Sequence, residues 1–364
     1  MLKIGIVGLP NVGKSTLFNA LLKSPLAEAA NFAFTTIDPN VGVVEVPDER
    51  LERLAEIEHS AKIIQPTIEF VDIAGLIRGA HKGEGLGNKF LANIREVDAI
   101  AMVVRSFKND EVMHVEGKIN PKDDIETVMT ELVLADLETL SRRKLVVEKE
   151  ARTDKEAAKT FEVLKKVEKV FEAGKPAETA GLDIDERKLV DDLHFLTLKP
   201  FLYVFNVSED EITEDPGDLI DRFELEGVVS EDRTLVVSAL VEAELATFDN
   251  EKDRSDYLAD LGVEEAGLNK LVKKAYGVLN LKSFLTAGEM EARAWTFREG
   301  MTIREAVGAI HSDFSKKFIK ADVVGYEDFV RCQGWVGAKN MGTVRLEGKE
   351  YLVQDGDVVY VHHS

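Results

Sequence analysis

The sequence has little cysteine and no long hydrophobic run. Its 364 residues include one cysteine, Cys332, which excludes an internal disulfide framework and is typical of a reducing compartment. No apolar run approaches the roughly 18 to 20 residues that cross a bilayer. The first residues, MLKIGIVGLP, read as the start of a strand rather than as a secretion signal. We therefore expect a cytoplasmic protein without membrane association.

The chain also lacks a net positive charge. Its formal net charge is -21, which argues against a protein that coats nucleic acid with a uniformly basic surface. Residues 142–175 depart from this balance, with eleven Lys and Arg against seven Asp and Glu. A solvated face of long helices explains this composition as well as a phosphate contact does. If the chain contacts a phosphate backbone, the candidate residues are Arg142, Arg143, Lys144, Lys165, Lys166 and Lys169.

Apolar runs of strand length recur along the first two thirds of the chain. Nearly continuous apolar runs that alternate with helical segments are typical of a parallel sheet covered by helices on both faces. The sequence therefore predicts a doubly wound α/β domain. The runs lie in LKIGIV from Leu2 onward and at residues 41–46, 67–75, 99–107, 200–207 and 234–240.

A helical segment interrupts this pattern between about residues 124 and 198. Two apolar series, which begin at Ile125 and Phe161, recur every three or four residues, with dense charge between their members. We predict two long helices joined near residues 151–154, which form an α-helical coiled-coil hairpin inserted into the α/β domain. A further short helix is expected at residues 185–196.

The composition changes again near Leu281. Short strand-like runs, a helical pattern from Thr302 to His311 and a tight turn at Asp355-Gly356 predict a compact α+β module of about 80 residues. The predicted domains are residues 1–123 with 199–280, residues 124–198, and residues 281–364.

The strongest motif is GLPNVGKST, which matches G-x-x-x-x-G-K-[ST] and stands between a predicted strand and a predicted helix. Gly8 and Gly13 let backbone N–H groups turn toward phosphates, and the helix N-terminus adds partial positive charge. Lys14 can reach the β and γ oxygens, and the Ser15 hydroxyl can bind Mg²⁺. The motif predicts a P-loop nucleotide site.

Two further segments follow in the order expected of P-loop hydrolases. The segment FVDIAG places Asp72 at a strand end, where its carboxylate can be held near Mg²⁺. Gly75 follows three residues later and can offer its N–H to the γ-phosphate. Earlier in the chain, FAFTTIDPN supplies Thr35 and Thr36, one of which can complete the metal shell.

The residue that would position the attacking water is not the usual one. Leu76 stands where Ras-like GTPases carry a glutamine, and leucine has no polar group for that task. His114 is the nearest candidate, although a solvated or structural histidine is an open alternative. Asn11 can place its amide oxygen beside the phosphates and help to hold a monovalent cation, or can serve as a turn residue.

The predicted base-recognition segment reads FNVSED, where a guanine-specific enzyme carries Asn-Lys-x-Asp. Val207 replaces the lysine that covers guanine, and Glu209 moves the carboxylate by one methylene. The Asn206 amide and the Val207 carbonyl can still meet the 6-amino group of adenine. Ser238 and Ala239 follow the next strand and can complete the pocket. The sequence therefore predicts that ATP is preferred to GTP.

The chain resembles the YchF-type, or Obg-like, ATPases of the translation-factor-related GTPase class. The resemblance rests on GLPNVGKST, FTTIDPN, VDIAGLIRGAHKGEGLGNKFL and FNVSED, and it covers essentially the whole chain. It implies a central nucleotide domain, an inserted coiled coil and a C-terminal TGS domain with a β-grasp fold. It also implies ATP hydrolysis and binding to a ribosome or ribosomal subunit and RNA.

By position, the resemblance implies a role in hydrolysis for His114, beside Lys14, and K⁺ as a candidate activator bound near Asn11. We expect a monomer that binds ATP, and GTP more weakly. Two alternatives stay open: a GTPase with degenerate base recognition, and a nucleotide-regulated RNA- or ribosome-binding module with negligible turnover. The implied phosphate cradle consists of Asn11, Val12, Gly13, Lys14, Ser15 and Thr16, and the implied metal ligands are Ser15 and Thr36, with Asp72 nearby.

Overall fold

The computed structural model describes residues 2–29, 40–73, 86–107 and 119–363, which divide into two compact units. The first unit contains residues 2–24, 40–42 and 69–271, and the second contains residues 25–29, 43–68 and 272–363. The three-domain division expected from the sequence stays a prediction. No helix of the described ranges combines the length and the apolarity that a membrane span requires.

Twelve strands are found in the described residues. They are β1 Lys3–Val7, β2 Val41–Glu45, β3 Ile63–Ile64, β4 Thr67–Asp72, β5 Ala99–Arg105, β6 Phe201–Asn206, β7 Thr234–Val237, β8 Leu281–Ala287, β9 Ala292–Arg298, β10 Phe318–Gly325, β11 Arg345–Glu347 and β12 Asp357–His363. The predicted apolar runs of the first two thirds therefore form strands, and all of these strands except β1 end one to three residues before their runs do.

Fifteen α-helices are found in the same residues. They are α1 Lys14–Leu22, α2 Pro25–Ala29, α3 Arg50–Glu58, α4 Leu86–Arg95, α5 Pro121–Glu150, α6 Lys155–Glu172, α7 Ile184–Lys188, α8 Pro216–Arg222, α9 Ala239–Leu245, α10 Glu251–Asp260, α11 Gly267–Val278, α12 Ile303–Ala306, α13 Ser312–Lys317, α14 Tyr326–Arg331 and α15 Trp335–Met341.

The first sheet has the strand order β2-β4-β1-β5-β6-β7. Strand β1 pairs in parallel with β4 and β5, and β5, β6 and β7 continue the parallel pairing. β5 and β6 are buried along their whole length, as expected for strands covered on both faces. The predicted doubly wound α/β fold is confirmed, and its parallel register brings the carboxyl ends of β1, β4, β5, β6 and β7 to one edge.

The inserted hairpin consists of α5 and α6, joined by residues 151–154 as predicted. The Asn120 side chain accepts a hydrogen bond from the Asp123 N–H at the start of α5, and Asp154 caps α6 in the same way. Leu140 and Val147 of α5 pack in one buried cluster with apolar residues of α6.

The segment that returns from the hairpin is less helical than predicted. The helix expected at residues 185–196 begins at Ile184 but ends at Lys188, and 3₁₀ turns at residues 191–193 and 196–198 follow. The prediction was wrong about the length because Val190 and Leu196 are fully buried and Val190 joins the core of the hairpin. Tertiary packing therefore sets the backbone of this segment.

The second unit contains a mixed sheet with the order β11-β10-β12-β8-β9-β3. One face packs on α12 and α13 and the other on α3, α14 and α15. The helix predicted from Thr302 to His311 is shorter, because α12 ends at Ala306 and a 3₁₀ turn covers Val307–Ala309. Strands β8 to β12 and helices α12 to α15 form the predicted C-terminal β-grasp module, whereas β3 and α3 join it from residues 50–64, which the sequence did not predict.

Candidate nucleotide-binding site

The P-loop between β1 and α1 takes a backbone path that requires glycine at two positions. Gly8 has φ 152° and Gly13 has φ 98°. A Cβ atom would lie 2.4 Å from the Val103 carbonyl oxygen at Gly8, and 2.2 Å from Asn206 Nδ2 at Gly13. Asn11, with φ 63°, adds the left-handed conformation that asparagine tolerates. The motif thus forms the tight turn that the sequence predicts.

Lys14 is buried at the first position of α1. Its Nζ donates a hydrogen bond to the Leu9 carbonyl oxygen at 2.7 Å, which holds the side chain across the loop. Burial lowers the pKa of the Lys14 ammonium to about 8, and the negative charge of Asp72 opposes that decrease. The loop therefore holds a desolvated cation close to its own carbonyl, so an incoming anion would meet a cation that has already lost much of its water.

Ser15 and Asp72 meet at the end of β4. Ser15 Oγ lies 3.5 Å from Asp72 Oδ2, at the limit of a hydrogen bond, while Ser15 itself is exposed. The other oxygen, Asp72 Oδ1, is buried and has no hydrogen-bond partner among the described residues. Burial raises the pKa of Asp72, whereas Lys14 and Ser15 act in the opposite direction.

This pair suits a hard divalent cation. Mg²⁺ prefers oxygen ligands and usually binds through one or two carboxylates together with substrate phosphates. The Ser15 hydroxyl and the Asp72 carboxylate, whose Oδ1 has no donor among the described residues, supply that chemistry. Ser15 and Asp72 therefore fit a magnesium site, directly or through water.

Asn206, at the end of β6, connects two loops of the site. Its Nδ2 donates to the Val12 carbonyl oxygen, and its Oδ1 accepts from the Ala239 N–H, each at 2.9 Å. The side chain is 5% exposed, so both bonds are buried. A primary amide has two donor hydrogens and two acceptor lone pairs, so among the described residues one of each is not used in these two bonds. Sequence reasoning missed this connecting role.

The other residues predicted to recognise the base lie at the same edge. Val207 is buried, and its N–H donates to the Val237 carbonyl oxygen at 3.0 Å. Ser238 is 1% exposed and its Oγ has no partner among the described residues. Glu209 is exposed at the start of a 3₁₀ turn, Glu209–Glu211, and its carboxylate is not part of the buried cluster.

Ser106 is a further residue that sequence reasoning missed. It follows β5 directly, and its N–H donates to the Asn206 carbonyl oxygen at 2.9 Å. Its Oγ is buried without a partner in the described part of the chain. The end of a buried parallel strand is where ligands bind in open α/β sheets, so position alone could have indicated it.

The remaining predicted site residues include Thr16, which is exposed on the first turn of α1. Thr36, Gly75 and His114 lie outside the described residues, as does Leu76. The described part of the predicted site thus comprises the P-loop, Asp72 and the base-recognition segment, and the structure brings these three together at one edge of the sheet.

Two sequence families match the chain. Residues 3–135 match the family MMR_HSR1, described as "50S ribosome-binding GTPase". Residues 281–364 match the family YchF-GTPase_C, described as "Protein of unknown function (DUF933)". The two matches cover the first part of the nucleotide-binding sheet and the whole C-terminal module.

Full-length relatives share about half of their residues with this chain. The protein "Ribosome-binding ATPase YchF" of Bacillus subtilis is 51% identical over 361 residues, which cover 99% of this chain and 98% of the relative. The protein of the same name from Escherichia coli O157:H7 is 49% identical over 360 residues, with 98% of each chain covered.

A solved structure has the same fold over the whole length. The Schizosaccharomyces pombe YchF GTPase superposes with a TM-score of 0.88 at 34% identity, and 99% of this chain and 97% of that chain are covered. This chain belongs to the YchF family of P-loop proteins.

Proposed function

We propose that this protein is a Mg²⁺-dependent ATPase that hydrolyses ATP to ADP and phosphate and binds ribosomes. The observation that carries the proposal is the buried Lys14 ammonium, beside a Ser15 and Asp72 pair with one carboxylate oxygen that has no partner in the described part of the chain. Its relatives of about 50% identity are named ribosome-binding ATPases, which supports both halves of the proposal.

The P-loop supplies the binding part of the proposed reaction. Residues 11–16 would surround the phosphates with backbone N–H groups, and Lys14 would exchange the Leu9 carbonyl for phosphate oxygens. Bound Mg²⁺ would supply charge neutralisation at the phosphates, held by Ser15, Asp72 and Thr36. The Gly75 N–H would meet the γ-phosphate, and K⁺ near Asn11 is a further candidate activator.

Water activation is assigned to His114. Leu76 replaces the glutamine that orients water in Ras-like enzymes, so another polar group is needed, and His114 is the candidate that the family resemblance supports. An imidazole titrates near neutral pH and can accept a hydrogen bond from water. We infer slow turnover, because the glutamine that orients the attacking water in Ras-like enzymes is replaced by Leu76.

Base selection is assigned to the edge formed by Asn206, Val207, Ser238 and Ala239. Val207 has no charged group to offer guanine, and Glu209 is exposed rather than buried. The proposed contacts to adenine use the unengaged donor and acceptor of the Asn206 amide and the Val207 carbonyl. ATP is therefore proposed to bind more tightly than GTP.

The remaining parts of the chain are proposed to bind the ribosome. We assign this role to the helical hairpin at residues 124–198 and to the C-terminal TGS module at residues 281–364, with RNA among the contacts. The protein is proposed to act as a monomer in the cytoplasm.

Phosphate release with and without purified ribosomes tests this function. Wild-type protein should release phosphate from ATP well above background, and His114→Ala should lose most of that rate while nucleotide affinity is kept. His194→Ala, at an exposed histidine of the hairpin segment, is the matched control and should keep the rate. Turnover near zero under all conditions would instead favour a binding module for which nucleotide is only a conformational ligand.

A further inference from the structure

Strand β12 is paired along its length on one side but at a single position on the other. Its pairing with β10 runs from Phe318 to Gly325 of that strand. Its pairing with β8 consists of Val358 with Leu285. In the described part of the chain, residues 360–363 therefore have no strand partner on the β8 side. Because the backbone N–H and C=O groups of a strand alternate between its two sides, this stretch presents an open strand edge.

A cleft with a volume of about 570 Å³ lies beside the open edge. One wall is β12, and the facing wall is the end of β8 with the turn that leads to β9, residues 286–291. Ile310 and Phe314 contribute further apolar surface. This volume is within the range of roughly 300–1,000 Å³ that is typical of ligand pockets. We call this space the β12 cleft. The β12 residues that line it are Val359, Tyr360, Val361 and His363.

Two side chains with large apolar surfaces in the β12 cleft are mostly in water. Met290, in the turn between β8 and β9, is 79% exposed, and Tyr360 is 58% exposed. On β12 itself, Val359 and Val361 face the core beneath α12 and α13, whereas Tyr360 neighbours Trp335 on the opposite face of the sheet. An added strand would direct its side chains to the two faces in the same alternation. The cleft therefore combines an open strand edge with apolar surface, which is the arrangement that binds extended peptides.

The open edge fits a peptide better than RNA. Its C=O groups need hydrogen-bond donors, whereas phosphate oxygens only accept hydrogen bonds. The turn between β8 and β9 also places Glu289 and Glu291 at the cleft, and none of the described residues that line it is Lys or Arg. Arg293 lies 4.0 Å from Glu291, at the limit of an ion pair, and Glu289 has no ion pair among the described residues. A phosphate backbone in the cleft would therefore meet carboxylates rather than cations.

We propose that the β12 cleft binds an extended segment of a ribosomal protein, which adds a strand to the open edge of β12. The inference rests on the proposed ribosome binding and names the chemistry of one contact. Residues 360–363 pair with the backbone of the segment, and Met290 and Tyr360 cover its apolar side chains. The segment carries no acidic residue beside Glu289, where two carboxylates would repel each other. The C-terminal module thus reaches the ribosome through protein.

Substitutions in the turn between β8 and β9 test the cleft in sedimentation with purified ribosomes. Gly288 lines the cleft, and a Cβ atom added there meets no atom within 4 Å, so Gly288→Phe can obstruct the cleft without displacing its neighbours. Gly348→Phe is the matched control, at a glycine that follows β11 and has equally open space. Met290→Gln removes an apolar contact, and its control is Leu346→Gln, at a leucine of β11 that is 61% exposed.

The proposal predicts an affinity for ribosomes that is about tenfold weaker in Gly288→Phe and about fivefold weaker in Met290→Gln. The Gly348 and Leu346 controls should change the affinity less than about twofold, as surface substitutions usually do. Phosphate release without ribosomes and circular dichroism should be unchanged in all four variants. Unchanged ribosome affinity of Gly288→Phe would overturn the proposal.

Hydrogen exchange tests the strand pairing itself. In the ribosome complex, the amides of residues 360–363 that face the cleft should exchange at least about tenfold more slowly than in the free protein, because new backbone hydrogen bonds protect them. Unchanged exchange at all four residues would refute strand addition.

Two other occupants of the cleft give distinct results. An equal loss of affinity for protein-free ribosomal RNA in Gly288→Phe, or tighter ribosome binding by Glu289→Lys, would assign the cleft to RNA. A wild-type dimer that Gly288→Phe dissociates would assign the cleft to a second copy of the chain. Either result contradicts the proposal.

Wild-type turnover and wild-type sedimentation report on the proposed function, whereas the difference between variants reports on the β12 cleft. If the wild type hydrolyses ATP and binds ribosomes but the cleft variants bind equally well, only the role of the cleft is refuted. If the wild type does not bind ribosomes, both the ribosome part of the function and the partner assigned to the cleft are refuted.

Discussion

Gly13 lies so close to Asn206 that a Cβ atom on Gly13 would be 2.2 Å from Asn206 Nδ2. The same amide donates to the Val12 carbonyl oxygen and accepts from the Ala239 N–H. The loop that would bind phosphates and the turn that would contact the base are therefore joined through one buried side chain. Any change that displaces Asn206 should disturb both parts of the site.

Gly13→Ala should abolish nucleotide binding. The methyl group would displace Asn206, and the backbone would keep φ 98°, which costs a non-glycine residue about 1–3 kcal/mol. Gly174→Ala is the matched control, since Gly174 has φ 70° but no atom within 4 Å of an added Cβ. Titration with a fluorescent ATP analogue measures the loss. Equal affinities of the two variants would show that a methyl group at Gly13 does not disturb the site, and would contradict the prediction.

The affinity for ATP should fall as the pH rises above 8. Burial lowers the pKa of Lys14 to about 8, and bound phosphates would raise it again, so binding above pH 8 must take up a proton. If the Lys14 ammonium accounts for the pH dependence of binding, the affinity for ATP should fall about tenfold between pH 7 and pH 9. Calorimetry in two buffers of different ionisation enthalpy measures the proton uptake. The same pH dependence in Lys14→Ala would contradict this assignment.

Asp72→Asn should remove most of the effect of Mg²⁺ on ATP affinity. Loss of a carboxylate that supports a metal typically costs roughly 10- to 100-fold in metal affinity. Affinity measured in EDTA should be unchanged. Because burial raises the pKa of Asp72, the neutral amide removes a desolvation cost, and the free energy of unfolding should not decrease. Asp260→Asn, at an exposed site, is the control and should keep the full Mg²⁺ effect.

The hydrophobic pattern of the sequence predicted most of the framework. Continuous apolar runs indicated buried parallel strands, and the spacing of GLPNVGKST indicated a turn with glycine at fixed positions. Both features are local, since they follow from neighbouring residues in the chain. Lys14 and Asp72 could be assigned for the same reason, because the P-loop and the strand end that carries Asp72 are each recognised locally.

Contacts between distant residues could not be predicted in this way. The bond from Asn206 to Val12 spans 194 residues, and no local pattern indicates it. The ion pairs that join α5 to α6, α6 to α7 and α5 to the 3₁₀ turn at residues 191–193 likewise depend on how these elements face each other, whereas the pairs within α5 and within α6 are local. The sequence therefore identified a basic segment but did not reveal that Arg143, Lys144 and Lys166 pair with carboxylates of other elements.

Asp136 makes another long-range contact, with Leu196 and Thr197. The substitution Asp136→Asn should therefore destabilise the hairpin. The carboxylate is fully buried in α5 and accepts hydrogen bonds from the Leu196 N–H at 2.8 Å and from the Thr197 N–H and Oγ at 2.9 and 2.7 Å. The NH₂ group of an asparagine cannot accept hydrogen bonds from these donors, so the free energy of unfolding should fall by about 1–3 kcal/mol. Urea unfolding measures the loss, and hydrogen exchange should show it at residues 133–198. Asp154→Asn should cost little, since asparagine also caps helices.

The pH dependence of this contact has a definite sign. Burial raises the pKa of Asp136 to about 6, above the usual value of about 3.9 for an unfolded chain. Between these values the folded state binds more protons than the unfolded state, so the contribution of Asp136 to stability decreases as the pH rises from about 4 to about 6. The difference in unfolding free energy between wild type and Asp136→Asn should therefore shrink over that range. A difference that grows over that range would contradict the role of burial.

The most direct test of the proposed function is a competition titration of the wild-type protein with ATP and GTP in the presence of Mg²⁺, followed by phosphate release from each nucleotide. Tighter binding of ATP, by tenfold or more, together with faster release of phosphate from ATP, is the predicted result. A clear preference for GTP in binding and turnover would contradict adenine recognition by Asn206 and Val207 and would make the protein a GTPase.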